Sequence, residues 1–198
     1  MSNQIVFFNS VADNWDVMCH HDKLKIKKIL DLSPISLGDR IMDIGCGTGV
    51  LTPYLVGIVG DGGSIVGIDV SNRMNEVAKR KYDYDNVSFH CEDIMDFNRD
   101  GQLYSGAICF SVFPHFEDKV HTIKQIVSNI EVGGYIIIAH SQSRDEINNM
   151  HKKCDDAVNK DELPPMDMIS SWFYQNNCGV NFLLDNDELF MIVGKKMK

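Results

Sequence analysis

Residues 41–49, IMDIGCGTG, combine an apolar run, one acidic residue and three glycines at alternate positions. The run from residue 40 to 44 predicts a short buried strand. The glycines can adopt a positive φ and leave backbone N–H groups bare, so a ligand could come close to the main chain. Residues 50–59 continue at helical spacing, and the N-terminus of a helix suits a carboxylate or phosphate. The stretch therefore predicts a strand, a loop and a helix that together bind a cofactor.

The spacing of the glycines separates two classes of cofactor. A dinucleotide-binding turn needs Gly-x-Gly-x-x-Gly, whereas this chain has Gly-x-Gly-x-Gly preceded by Asp43. In this motif the chain resembles the class I S-adenosylmethionine-dependent methyltransferases. The resemblance implies that Gly45, Cys46, Gly47 and Gly49 receive the methionine part of S-adenosylmethionine, with Asp43 near its ammonium group. The alternative is a glycine-rich turn that binds no ligand.

A second acidic residue, Asp69, ends the predicted strand 64–70. A carboxylate at this place can accept hydrogen bonds from both hydroxyl groups of a ribose. The resemblance implies this role for Asp69, because the family has an acidic residue at the end of its second strand. The alternative is that Asp69 caps the predicted helix 73–82.

The predicted strand 87–91 is followed by Glu92, Asp93 and Ile94. The resemblance implies that Asp93 accepts a hydrogen bond from the adenine amino group and that Ile94 packs on the ring. Glu92 could exchange roles with Asp93, and a plain exposed acidic turn is the alternative. Val70 and Met74 are predicted to contact the other side of the adenine, although both could be ordinary core residues.

Candidate catalytic residues lie where the predicted strands 107–113 and 135–140 end. The sequence SVFPHF at 111–116 departs from the Asn/Asp-Pro-Pro-Tyr motif of enzymes that methylate DNA bases or glutamine. Ser111 is assigned to the cofactor site. His115, His140 and His20 are the candidates for a general base, and His21 could reach the site in place of His20. The alternatives are that two or three histidines bind a metal ion, although no metal is assigned, or that they cap turns.

The alternation of strand and helix after residue 49 predicts an α/β fold. Predicted helices cover residues 119–130, closed by the glycine pair 133–134, and 167–176; strands 180–185 and 188–195 form a hairpin. This resembles the Rossmann-like class I fold: a mostly parallel seven-stranded sheet with a C-terminal antiparallel hairpin and helices on both faces. Residues 1–37 are predicted to form a helical extension that covers the site, and 38–198 the methyltransferase domain. Within the domain, 141–165 is an inserted covering segment with a helix over 144–158.

Composition narrows the possible partners. The chain has 198 residues and 44% hydrophobic content, enough for one packed domain, and its six cysteines are scattered singly. No apolar run approaches the ~20 residues that span a bilayer, so we expect a cytoplasmic protein without membrane contact. The net charge of -9 argues against a nucleic-acid partner. The lysine-rich stretch 23–28 is interpreted as a solvated helix face rather than an RNA-binding patch.

These observations predict an S-adenosylmethionine-dependent methyltransferase that transfers a methyl group to a small-molecule acceptor by in-line displacement. Two alternatives stay open. The first is a non-catalytic S-adenosylmethionine-binding regulatory protein, and the second, which the glycine spacing disfavours, is an NAD-dependent oxidoreductase. No residue selects an O, N, S or C acceptor, a pathway or an oligomeric state.

Overall fold

The computed structural model describes residues 3–98 and 101–198 and contains one seven-stranded sheet. Its strand order is β3-β2-β1-β4-β5-β7-β6, in which the first five strands of the chain run parallel and β7 pairs antiparallel with both β5 and β6. The predicted sheet and C-terminal hairpin are confirmed. The strands are β1 (Arg40–Ile44), β2 (Ser64–Asp69), β3 (Val87–Cys91), β4 (Tyr104–Phe110), β5 (Ile130–His140), β6 (Cys178–Asp185) and β7 (Phe190–Lys196).

Helices cover both faces of the sheet, as predicted. Ile136 and Ile138 of β5 point to one face, where they pack with the helices that follow β4. Ile137 points to the other face, where it packs with the helices Lys23–Asp31 and Thr52–Val59. Among the described residues, no helix is long and apolar enough to cross a membrane. The helices are α1 (Asn3–Val11), α2 (Trp15–Met18), α3 (Lys23–Asp31), α4 (Thr52–Val59), α5 (Asn72–Lys81), α6 (Lys119–Asn129), α7 (Arg144–His151) and α8 (Met166–Gln175).

The strand order reverses between β1 and β4. The chain adds β2 and β3 on one side of β1, and then returns to place β4 on the other side. In open α/β sheets, ligands bind outside the carboxyl ends of the strands at such a switch point. The fold therefore directs attention to the residues that follow β1 and β4. The boundary proposed at residue 38 stays a prediction, as does the inserted segment 141–165.

Two predicted boundaries around β4 and β5 were wrong. β4 ends at Phe110 rather than at residue 113, because Ser111 adopts φ 54° and turns the chain out of the sheet. The glycine pair 133–134 does not close α6 but lies inside β5, where the register with β4 shifts. A Cβ on Gly134 would lie 2.6 Å from the carbonyl oxygen of Ser105, so close strand contact explains that glycine.

The helix predicted over 144–158 is shorter than expected. α7 ends at His151, and turns occupy most of the following residues up to 160. The Asp155 carboxylate accepts a hydrogen bond from the backbone N–H of Ala157, at 2.9 Å. Such a local bond offers the backbone an alternative to the helix, and it explains why the chain turns at Asp155.

Candidate functional site

A cavity of about 440 Å³ lies at the carboxyl ends of the parallel strands. Two groups of residues line it. The glycine wall comes from residues 44–50, 68–74 and 92–95, and the histidine wall comes from residues 4–21, 110–118 and 122. The sequence-predicted residues that line the cavity are Gly45, Cys46, Gly47, Asp69, Val70, Met74, Glu92, Asp93, Ile94, Ser111 and His115. The predicted residues that lie outside the described lining are Asp43, Gly49, His20 and His140.

The three loop glycines all have positive φ, but for different reasons. A Cβ on Gly45 would lie 2.2 Å from Val112, and one on Gly49 would lie 2.9 Å from the ring of Tyr82, so both glycines permit close packing. A Cβ on Gly47 would meet only the indole nitrogen of Trp15, at 3.9 Å. Gly47 thus has no side chain between its backbone and the cavity. The expectation that the loop leaves backbone N–H groups bare is wrong for Gly45 and Gly47, because these groups donate to Ile68 and Asp69.

Asp69 orders the end of the glycine wall through two backbone hydrogen bonds. Its Oδ2 accepts from the N–H of Gly47 at 2.9 Å, and its Oδ1 accepts from the N–H of Ser71 at 2.8 Å. Burial raises the pKa of Asp69, and these two bonds partly oppose that rise. A carboxylate has about four acceptor positions, so two remain for hydroxyl groups of a ligand in the cavity. The donor and acceptor set fits a ribose.

Asp43 lies beneath the glycine wall. Its side chain is 2% exposed, and burial together with the nearby charge of Asp69 raises its pKa to about 7. Because Asp43 is not part of the described lining, its predicted place beside a ligand ammonium group stays a prediction. The structure shows instead a buried carboxyl group whose pKa is raised in part by the charge of Asp69.

The outer part of the glycine wall is a mixture of apolar and acidic groups. Ile94 and Met74 are buried, whereas Val70 is 37% exposed. The Asp93 carboxylate accepts a hydrogen bond from the N–H of Met95 at 2.9 Å, which closes the turn after β3. These side chains form an apolar slot with a carboxylate at its edge, and Glu92 lies on the same part of the wall. The predicted adenine roles of these residues stay predictions.

The histidine wall includes a short turn that follows β4. Ser111 adopts a left-handed conformation, and Phe113–His115 form a 3₁₀ turn. The Lys119 ammonium group donates to the carbonyl oxygens of Pro114 at 3.0 Å and Phe116 at 2.8 Å. These bonds fix the backbone on both sides of His115, whose ring lines the cavity.

His115 has a carboxylate partner that the sequence did not reveal. Its Nδ1 lies 2.6 Å from Oδ2 of Asp161, and both side chains are 15% exposed. The Gln4 amide of α1 donates to the same carboxylate at 2.9 and 3.1 Å. No spacing or motif connects residues 4, 115 and 161, so only the folded chain brings them together.

The other predicted histidines lie in different places. His20 is exposed, and its neighbour His21 lines the cavity instead, with Nδ1 3.4 Å from Ser141 Oγ. His140 is 3% exposed and packs edge-on against Phe190, and burial lowers its pKa to about 3. Across residues 3–98 and 101–198, no group of three or more His, Cys, Asp or Glu side chains is arranged to hold a metal ion.

Polar contacts attach the N-terminal segment to the glycine wall. Asp16 accepts from the hydroxyl of Thr48 at 2.5 Å and pairs with the Lys81 ammonium at 2.6 Å. Burial raises the pKa of Asp16, but the bonds to Lys81 and Thr48 outweigh this effect and leave it below its usual value. Farther along, Asn9 accepts from the hydroxyl of Ser71 at 2.8 Å. The N-terminal segment, which forms part of the histidine wall, is therefore joined to the glycine wall.

The sheet order, the Gly-x-Gly-x-Gly loop after β1 and the acidic residue at the end of β2 together define a class I S-adenosylmethionine-dependent methyltransferase. The family model described as a methyltransferase domain matches residues 35–186. The chain belongs to this family, and the resemblance seen in the sequence is confirmed, as is the class of its cofactor.

Curated relatives and a solved structure agree with this assignment. The chain is 32% identical over 114 residues to the carboxy-S-adenosyl-L-methionine synthase of Staphylococcus epidermidis, covering 58% of this chain and 50% of that protein. It is 30% identical over 131 residues to the malonyl-[acyl-carrier protein] O-methyltransferase of Acetivibrio thermocellus, covering 65% and 46%. The chain thus spans about half the length of these curated relatives.

The solved structure is that of the N-methyltransferase NodS from Bradyrhizobium japonicum in complex with S-adenosyl-L-homocysteine. It superposes with a TM-score of 0.75 at 14% identity and covers 100% of both chains. At this identity the likeness concerns the fold alone.

Proposed function

We propose that the chain methylates a small acceptor that carries an ionisable O–H, N–H or S–H group, with His115 as the general base. The observation that carries this proposal is that the His115 ring lines the same cavity as Gly47 and Asp69. The residues proposed to bind the cofactor and the residue proposed to accept the proton therefore line the same cavity.

The glycine wall supports the cofactor half of the proposal. Asp69 would hold the ribose hydroxyls, the backbone at Gly45 and Gly47 the methionine part, and the slot at Ile94 and Met74 the adenine. S-adenosylmethionine, when bound, supplies a methyl group on a positively charged sulfur. The lone pair of the acceptor would attack the methyl carbon in line with the carbon–sulfur bond and displace the sulfur. Most of the protein's contribution is then to position the acceptor.

His115 supports the acceptor half. Its Nδ1 is taken by Asp161, so Nε2 is the ring nitrogen that has no hydrogen bond within the described part of the chain. A neutral imidazole with a bare Nε2 can remove the proton of the acceptor as its lone pair attacks the methyl carbon. The proton of the acceptor passes to His115, and the electrons of the broken carbon–sulfur bond pass to the sulfur.

The lining also limits the acceptor's charge. Ile5, Phe8, Phe110 and Phe116 supply apolar and aromatic surface beside His115, and no Lys or Arg occurs among the described residues that line the cavity. An anionic acceptor would be buried with no cationic side chain of the protein beside it, and only the positive sulfur of the cofactor would offset its charge. We therefore expect a small neutral or cationic acceptor with an apolar or aromatic body.

Ligand binding tests the proposal first. Isothermal titration with S-adenosyl-L-homocysteine should give a one-to-one complex, and NAD should give no heat of binding. Transfer of tritiated methyl from S-adenosylmethionine to a panel of phenols, amines and thiols should then label at least one compound. Binding of NAD in place of S-adenosyl-L-homocysteine would favour an oxidoreductase. Cofactor binding without label in any compound, including acids, would favour a non-catalytic binding protein.

A further inference from the structure

Asp161 lies outside the described lining of the cavity, but its carboxylate contacts His115, which is part of that lining. Its carboxylate contacts His115 through Oδ2 at 2.6 Å, and both of its oxygens accept from the Gln4 amide. The role assigned to Asp161 here rests on the proposed function, because it acts through His115.

The segment that carries Asp161 is held firmly against α7. The carbonyl oxygen of Asp161 lies 2.8 Å from Nδ1 of His151. Two residues later, Leu163 exchanges backbone hydrogen bonds with the Asn148 amide, at 2.8 and 3.1 Å. Asn148 and Leu163 are buried. The carboxylate therefore occupies a fixed place behind the imidazole.

The chemistry of the pair determines which nitrogen of His115 carries the proton. An ionised carboxylate can only accept hydrogen bonds, and a neutral imidazole has one N–H and one bare nitrogen. At 2.6 Å from the carboxylate, Nδ1 must be the donor, so the bare nitrogen is Nε2. This tautomer is the one that can accept a proton from a group in the cavity.

We propose that Asp161 is a positioning residue that locks His115 in its Nδ1–H tautomer and aims Nε2 at the acceptor. Gln4 takes part by orienting the carboxylate. α1 and the segment after α7 thus meet at the Asp161 carboxylate. His115 has the correct tautomer and orientation only when both elements are in place. Asp161 contacts no reacting atom and acts through His115.

Nitrogen-15 NMR of histidine-labelled protein tests this assignment directly. Two-bond nitrogen–proton spectra, recorded where the His115 ring is neutral, show which ring nitrogen is protonated. The signals of His115 are identified by their loss in His115→Ala. In the wild type we expect the proton on Nδ1, and a proton on Nε2 would overturn the proposal without any need for a variant at residue 161.

The Asp161→Asn variant supplies the complementary test. An asparagine amide can donate to Nδ1 and so favours the opposite tautomer, with the proton on Nε2. The matched control is Glu162→Gln, because Glu162 is an exposed neighbour of equal charge. We expect the control to keep the wild-type tautomer and Asp161→Asn to lose it, and an unchanged tautomer in Asp161→Asn would overturn the proposal.

Kinetics and binding separate this proposal from the proposed function. For an acceptor found in the methylation panel, Asp161→Asn should lower kcat by about 10²-fold or more, with the affinity for S-adenosyl-L-homocysteine unchanged. Wild-type kcat in Asp161→Asn would overturn the positioning role. Failure of the wild type to bind S-adenosyl-L-homocysteine would instead overturn the proposed function, and the tautomer result would stand on its own.

Discussion

The glycine wall and the histidine wall line one cavity but are built in different ways. The glycine wall is made largely of backbone and of side chains from three consecutive strand ends, all between residues 44 and 95. The histidine wall combines α1, the turn after β4 and, behind it, Asp161. A wall built from neighbouring segments leaves a periodic pattern in the sequence, whereas one built from distant side chains leaves none.

The largest effect on activity is expected from a substitution in the histidine wall. Cofactor binding by the glycine wall should be unchanged in that variant. Because His115 is proposed to remove the acceptor proton, His115→Ala should lower kcat by about 10²–10⁴-fold. The affinity for S-adenosyl-L-homocysteine, measured by calorimetry, should stay the same. His121→Ala removes an exposed histidine of α6 and serves as the control. Equal activity in the two variants would remove His115 from the mechanism.

A second effect concerns the carboxyl group under the glycine wall. The pKa of Asp43 is raised to about 7, so the folded state binds its proton more tightly than the unfolded state does. The contribution of Asp43 to stability is therefore lost as the pH rises from about 4 to 7. Relative to wild type, Asp43→Asn should gain up to ~4 kcal/mol in free energy of unfolding over this range.

Urea unfolding of the wild type and Asp43→Asn at several pH values from 4 to 8 measures this difference. A constant difference between the two proteins over the whole range would contradict the raised pKa. Asp83→Asn, at an exposed position, should track the wild type at every pH.

The smallest of the three effects tests the glycine wall alone. Asp69→Ala removes the proposed ribose acceptor and should weaken binding of S-adenosyl-L-homocysteine about 10²-fold, since hydrogen bonds to a charged group contribute ~1.5–3 kcal/mol. Calorimetry measures the change, with Asp83→Ala as the control. Asp69→Asn removes the charge but keeps one carbonyl acceptor, so it can retain the bond to Gly47 or the bond to Ser71, but not both. Undiminished binding in Asp69→Ala would refute the ribose assignment.

The difference between the walls also explains what the sequence could and could not predict. The glycine loop and Asp69 were found because a strand followed by glycines at fixed spacing encodes a local geometry. The parallel sheet followed from the alternation of strands and helices, and its seven-stranded form from the resemblance to the family. Asp161 could not be found, because a hydrogen bond between residues 115 and 161 depends on how the segment after α7 folds back.

The histidines show the same limit at the level of single residues. His115 and His140 both lie at the carboxyl ends of predicted strands. The sequence pattern therefore does not distinguish between them. In the structure a turn brings His115 to the cavity, while His140 is still the last residue of β5 and packs against Phe190. Of His20 and His21, the one that reaches the cavity depends on which side of the chain faces inward. The sequence pattern does not encode that orientation.

The position of β7 between β5 and β6 has a consequence for the order in which the chain is synthesised. β4 and β5 are synthesised before β7 and can pair with each other, but the other edge of β5 waits for residues 190–196. Until then the isoleucine-rich strand exposes unpaired N–H and C=O groups, which invite pairing with other chains. Nascent chains stopped before β7 should therefore be the species that chaperones bind and that aggregate, although their glycine loop is already complete.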